Sequence, residues 1–168
     1  MNESVSSVPD AHVIGLISDT HGLLRPSVFQ ALAGVDAILH AGDVGDDAIL
    51  DALETIAPVL AVSGNTDAPG RPRLAESREL VLGGVSLHVS HGHEVGSPTP
   101  ARLAERYRAD VIVYGHTHRQ LVTRVGEQLV VNPGAAGARR FRLQPSVGLL
   151  RIEDGEADVE IVALTADS

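Results

Sequence analysis

Short apolar runs and helix-period segments alternate through the first third of the chain. His12–Ser18 is a continuous apolar run that stops at Asp19, the pattern of a strand buried on both faces. Pro26–Ala33 predicts a helix with proline near its first turn. Asp36–Ala41 is a second apolar run, closed by Gly42-Asp43. Asp46–Ile56 carries Ile49, Leu50, Leu53 and Ile56 at helical spacing. Pro58–Ser63 is a third strand, ending at Gly64-Asn65. This strand-helix alternation predicts a parallel sheet with right-handed crossovers.

The pattern then shifts toward hairpins. Glu79–Leu82 and Val85–Ser90 flank Gly83-Gly84, a two-residue turn signal. Thr99–Arg108 predicts a helix, with Thr99 as N-cap and Pro100 in first position. Val111–Tyr114 is another buried strand. Leu121–Val125 and Gln128–Val131 pair around Gly126-Glu127, and Val147–Ile152 and Ala157–Leu164 around Asp154-Gly155. The stretches 66–72 and 133–145 carry no element pattern. Residues 1–11 predict a flexible tail, and 12–168 a single domain.

Composition narrows the function classes. The 168 residues are 43% hydrophobic and 21% charged, which is enough for a packed core. A net charge of −9 and 2% aromatics argue against a nucleic-acid-binding surface. Without cysteine there are no disulfides, thiolate metal sites or thiol nucleophiles. No apolar run reaches the ~20 residues of a membrane span. The first residues lack a secretory pattern, so the expected compartment is the cytoplasm. Eight histidines in an acidic chain call for an explanation.

Five predicted strands end in metal-ligating residue types: Asp19-Thr20-His21, Gly42-Asp43, Gly64-Asn65-Thr66-Asp67, His91-Gly92-His93 and Gly115-His116-Thr117-His118. Sites in α/β sheets assemble at the carboxyl ends of strands, so the five can converge. Carboxylate, imidazole and amide oxygen suit Mn²⁺, Zn²⁺, Ni²⁺ or Fe²⁺, and a carboxylate can bridge two cations. The glycines allow tight turns and close approach of backbone. His12 and His88 read as structural. His40 either orients a ligand from behind or packs as an ordinary core histidine. Arg139 and Arg140 read as a solvated pair, though Arg suits a phosphate contact.

These motifs, with Asn132-Pro133-Gly134, resemble the calcineurin-like metallophosphoesterase superfamily from about His12 to Leu164. Within it the chain is most similar to the small YfcE-type phosphodiesterases, whose fold the eukaryotic retromer subunit Vps29 resembles. The resemblance implies an α/β fold: a four-layer α/β/β/α sandwich of two mixed sheets flanked by helices, with a dinuclear centre at its rim. It implies that Asp19, His21 and His118 hold one metal, that Asn65, His91 and His116 hold the other, and that Asp43 bridges them. Manganese is the leading choice, with nickel, iron and zinc as alternatives. The implied reaction is hydrolysis of a small-molecule phosphodiester by a metal-bridging hydroxide. The alternatives are a broad phosphomonoesterase and a non-catalytic scaffold.

The sequence also departs from the superfamily. Thr66 stands where many members have a histidine that assists the leaving group. His93 is then the first candidate for that role, with Asp67 or solvent behind it. The segment Gly42–Ala48 lacks the arginine of the protein-phosphatase branch, and Ala135 replaces a frequent serine. A homo-oligomer formed through an edge strand or an exposed hairpin is a further expectation.

Overall fold

The computed structural model describes residues 11–139 and 142–165. Arg140 and residues 1–10 of the expected tail lie outside the described residues. Ala11, grouped with the tail by sequence, already belongs to the first strand and pairs with Glu153.

The strand-helix alternation folds as β1 (Ala11–Ile17), α1 (Ser27–Ala31), β2 (Ala37–His40), α2 (Asp47–Glu54) and β3 (Val59–Val62). The helices are shorter than their patterns. A two-residue strand, β4 (Leu74–Ala75), extends the sheet, and its length is too small for any periodicity to announce it. Then come β5 (Ser77–Leu82), β6 (Val85–Ser90), a 3-10 turn at His93–Val95, α3 (Pro100–Arg106) and β7 (Val111–Val113). Two hairpins close the chain: β8 (Leu121–Val125) with β9 (Gln128–Asn132), and β10 (Ser146–Glu153) with β11 (Glu156–Ala163). The Thr99 side chain accepts the Arg102 N–H and caps α3 as expected.

The strands form two mixed sheets. The first has the order β11-β10-β1-β2-β3-β4, with β1 to β4 parallel and the final hairpin added antiparallel. The second has the order β5-β6-β7-β9-β8, with β6, β7 and β9 parallel between antiparallel edges. Alternation along the strands builds three apolar layers. Ile14, Leu16 and Leu39 of the first sheet meet Leu87, Val113 and Val131 of the second. Ile17 and Ile38 face the other way and pack on Val28, Leu50 and Leu53 from the α1 and α2 side. Ile112 and Val130 cover Leu103 of α3. The result is the expected helix/sheet/sheet/helix sandwich. Among the described residues no helix is long and apolar enough to cross a membrane.

Candidate metal centre

Parallel pairing puts the carboxyl ends of β1, β2, β3, β6 and β7 on one rim, and the predicted ligand motifs follow those ends. Five of the candidate ligands, Asp19, His21, Asp43, His116 and His118, have left-handed backbone with φ between 49° and 73°. That conformation is unfavourable for side-chain-bearing residues and clusters where function holds it in place. Among the described residues the one other non-glycine case is Asp154, in the turn between β10 and β11.

Each aspartate is anchored by one oxygen and aims the other inward. Asp19 Oδ2 accepts the Ser18 hydroxyl at 2.6 Å and the His116 N–H at 3.1 Å. Its Oδ1 is buried without a hydrogen-bond partner. That oxygen lies 3.8, 3.8 and 3.4 Å from the Nε2 atoms of His21, His91 and His118. Asp43 Oδ1 accepts the Thr66 N–H at 2.9 Å. Asp43 Oδ2 faces Nε2 of His21 at 3.6 Å and of His91 at 3.2 Å. Asp43 thus stands between the histidine of one motif group and that of the other. Burial works to raise its carboxyl pKa, but the His91 contact and the Thr66 N–H outweigh this and hold it below the usual carboxylate range.

His91 is fully buried, and its Nδ1 lies 2.8 Å from the Ala41 carbonyl. Nδ1 therefore carries the proton and donates it, which points the Nε2 lone pair at the carboxylates. Burial pulls the His91 pKa down, but the two aspartates outweigh it and the net shift is upward. His116 has its edge on the His91 ring, with centroids 5.1 Å apart, and His93 lies 5.2 Å from His91. Burial and neighbouring His91 lower the pKa of His116.

Two groups of donor atoms lie close enough to share an ion: Asp19, His21 and His118, and Asp19, Asp43 and His91. The first is the set expected for one metal. The second contains Asp43 and His91 of the expected other set together with Asp19, and His116 stands outside it. Asn65 is exposed on the loop after β3, in the wall of an adjoining cleft that His93 also lines. The chemistry of the donors fits divalent cations. The buried partnerless atoms include Asp19 Oδ1 and the Nε2 atoms of His21 and His91, oxygen and imidazole donors that converge without a counter-ion.

The supporting contacts were mostly illegible in the sequence. His40 resolves as a brace. Its Nδ1 accepts the Gly42 N–H at 3.1 Å, so Nε2 carries the proton and donates it to Thr20 Oγ1 at 3.0 Å. Thr20 in turn donates to the Val44 carbonyl. One neutral imidazole thereby ties the Asp19 loop to the Asp43 loop. Asp67 accepts N–H groups of Val44, Gly45 and Gly64 at 2.8–3.2 Å, and Arg71 lies 3.5 Å away. Asn132 donates to the Gly115 carbonyl and to Thr117, and accepts the Gly134 N–H, clamping the His116–His118 loop. A Cβ on Gly64 would strike the Asp43 carboxylate, and one on Gly115 would strike Ser18 and Asp19. His12 is half-buried in β1, and His88 stacks on Tyr107, consistent with structural roles. Arg139 is exposed and lies near His118.

The fold and this rim define a metal-dependent phosphoesterase, and the comparisons agree. The calcineurin-like phosphoesterase superfamily domain matches residues 13–155. The chain is 37% identical over 158 residues to a probable metallophosphoesterase of Methanothermobacter thermautotrophicus, covering 89% of this chain and 91% of that one. It is 31% identical over 157 residues to the phosphodiesterase YfcE of Escherichia coli, covering 79% and 84%. Among solved structures, Vps29 of Entamoeba histolytica complexed with zinc superposes with a TM-score of 0.74 at 27% identity, covering 91% of this chain and 99% of that one. The chain belongs to the calcineurin-like phosphoesterase superfamily.

Proposed function

We propose that this protein hydrolyses small phosphodiesters with a dinuclear centre, manganese being the leading metal. Asp19, His21 and His118 would hold one ion, and Asn65, His91 and His116 the other, with Asp43 shared. The observation that carries the reading is Asp43 Oδ2, which lies 3.6 Å from His21 and 3.2 Å from His91. Bound there, two divalent cations supply Lewis acidity toward phosphoryl oxygens and water. The chain's own part is to fix the donors. Ser18, Thr66 and the Ala41 carbonyl orient Asp19, Asp43 and His91, and His40 locks the two aspartate loops together.

We assign proton delivery to the leaving-group oxygen to His93, which lines the cleft beside Asn65. Asp67 lines the same cleft, but its oxygens are engaged by three backbone N–H groups, so we assign it to bracing the loop. The test is hydrolysis of bis-p-nitrophenyl phosphate against p-nitrophenyl phosphate with Mn²⁺, Ni²⁺ or Zn²⁺, before and after chelation. We expect the diester to be cleaved with the higher kcat/KM and the activity to vanish on chelation. A preference for the monoester would favour a phosphomonoesterase. No cleavage of either would favour a scaffold.

A further inference from the structure

The cleft that shares Asn65 and His93 with the centre has a volume of about 490 Å³. That is ample for a small organic group beyond the scissile phosphate. Its lining is mostly polar. Glu76 and Ser77, where the chain passes from β4 into β5, lie in one part of the wall, and Glu94, Arg106 and Tyr107 in another. We infer that this cleft receives the leaving alcohol of the diester and that it selects a small polyol of the glycerol type over a nucleoside or an aryl group. The inference rests on the phosphodiesterase reading and names the substrate class for it.

The chemistry of the wall argues for hydroxyl groups. Glu76 and Arg106 are both exposed and form no ion pair with any described residue, so an acceptor and a fork of donors stand open in one cleft. Hydroxyl groups suit both, since each can donate to a carboxylate and accept from a guanidinium. Glu94 is held in place: its Oε1 accepts the Gly92 N–H at 2.9 Å and its Oε2 accepts the Tyr107 hydroxyl at 2.8 Å. These bonds tie the turn that carries His93 to the end of α3, so that part of the wall is preorganised.

The same wall argues against a base. Apart from the imidazole of His93, assigned above to the leaving-group oxygen, Tyr107 is the one aromatic side chain of the lining. Its ring stacks on His88 with centroids 3.7 Å apart, and the Arg106 guanidinium lies 5.6 Å from the ring centroid. Little of that ring is left to stack on a nucleobase or an aryl group.

The test compares two symmetrical diesters, bis-glyceryl phosphate and bis-p-nitrophenyl phosphate, with a thymidine dinucleotide as third substrate. Because aryl esters are intrinsically more reactive, the readout is the change in each kcat/KM between wild type and the variants Arg106→Gln and Glu76→Gln. Any loss of active protein cancels in the ratio of substrates. Each variant is expected to raise KM for bis-glyceryl phosphate and to lower the glyceryl-to-aryl ratio of kcat/KM by roughly tenfold, the usual scale of a lost charge-assisted hydrogen bond. Equal effects on glyceryl and aryl substrates, or a dinucleotide whose kcat/KM falls as much as the glyceryl diester's, would overturn the inference and leave the phosphodiesterase reading intact. If the wild-type enzyme cleaves none of the three diesters, both fall.

Discussion

Nε2 of His91 stands 3.2 Å from Oδ2 of Asp43, while Nδ1 of the same ring gives its proton to the Ala41 carbonyl. The two facing atoms are both acceptors, a lone pair and a carboxylate oxygen, on buried side chains. Such a pair is stable only with a cation between or beside its members. Without metal that cation is a proton, which is why the His91 pKa shifts up and that of Asp43 down. With metal, the same geometry is a ligand pair.

Replacing Asp43 with Asn removes the charge and puts an amide donor within reach of His91. Because Asp43 faces both histidine groups, occupancy at both positions should fall together, and kcat/KM should drop by at least roughly a hundredfold. Elemental analysis of the purified variant beside steady-state kinetics checks this. Near-normal metal content and rate would remove Asp43 from the bridging position.

Gly115→Ala replaces no ligand residue, yet its Cβ would strike Ser18 and the anchored oxygen of the ligand Asp19. The expected result is a folded protein, destabilised by about 1–3 kcal/mol, with metal affinity lowered at least tenfold. Urea unfolding and calorimetric metal titration of the variant measure the two effects separately. Unchanged metal affinity would mean that the Asp19 orientation does not depend on this close approach.

Burial lowers the pKa of His40 from the ordinary 6.5 to about 4. The folded state therefore refuses a proton that the unfolded chain accepts near 6.5. The His40 contribution to stability is complete above about pH 6.5 and is lost as the pH falls from there toward 4, a total on the order of 3 kcal/mol. NMR titration of the His40 ring checks the premise. Its resonances should stay in the neutral form down to about pH 5, whereas a midpoint near 6.5 would contradict the brace.

Thr66 is exposed at the rim, and its N–H already binds Asp43. Thr66→His introduces an imidazole where the chain lacks the one that many superfamily members have. Turnover of diesters with alkyl leaving groups should rise several-fold, and that of p-nitrophenyl diesters, which need no protonation, should change little. A loss on both would show that the loop turns that side chain away from the substrate.

Much of this site was legible because its ligands are local. Asp19, Asp43, His91 and His116 each follow an apolar run within a few residues, and a parallel sheet gathers such ends by topology alone. The layers of the fold followed from the same runs. What stayed hidden depends on contacts made across long stretches of chain. His40 looked like either a core residue or a support, and only the approach of Gly42 and Thr20 decides. Nothing in the sequence around Asp67 announces the three N–H groups from two loops that converge on it. The two-residue strand Leu74–Ala75 has no period to read. The left-handed backbone at five candidate ligands is only weakly marked in residue type, since Asp and His tolerate it better than most side chains yet occupy ordinary conformations elsewhere.

The most direct measurement is a metal titration of the chelator-stripped protein, following bis-p-nitrophenyl phosphate hydrolysis and bound Mn²⁺ in the same samples. The account predicts no activity without metal, a rate that rises steeply with the second equivalent, and saturation at two ions per chain. Full activity in stripped protein, or saturation at a single ion, would contradict it.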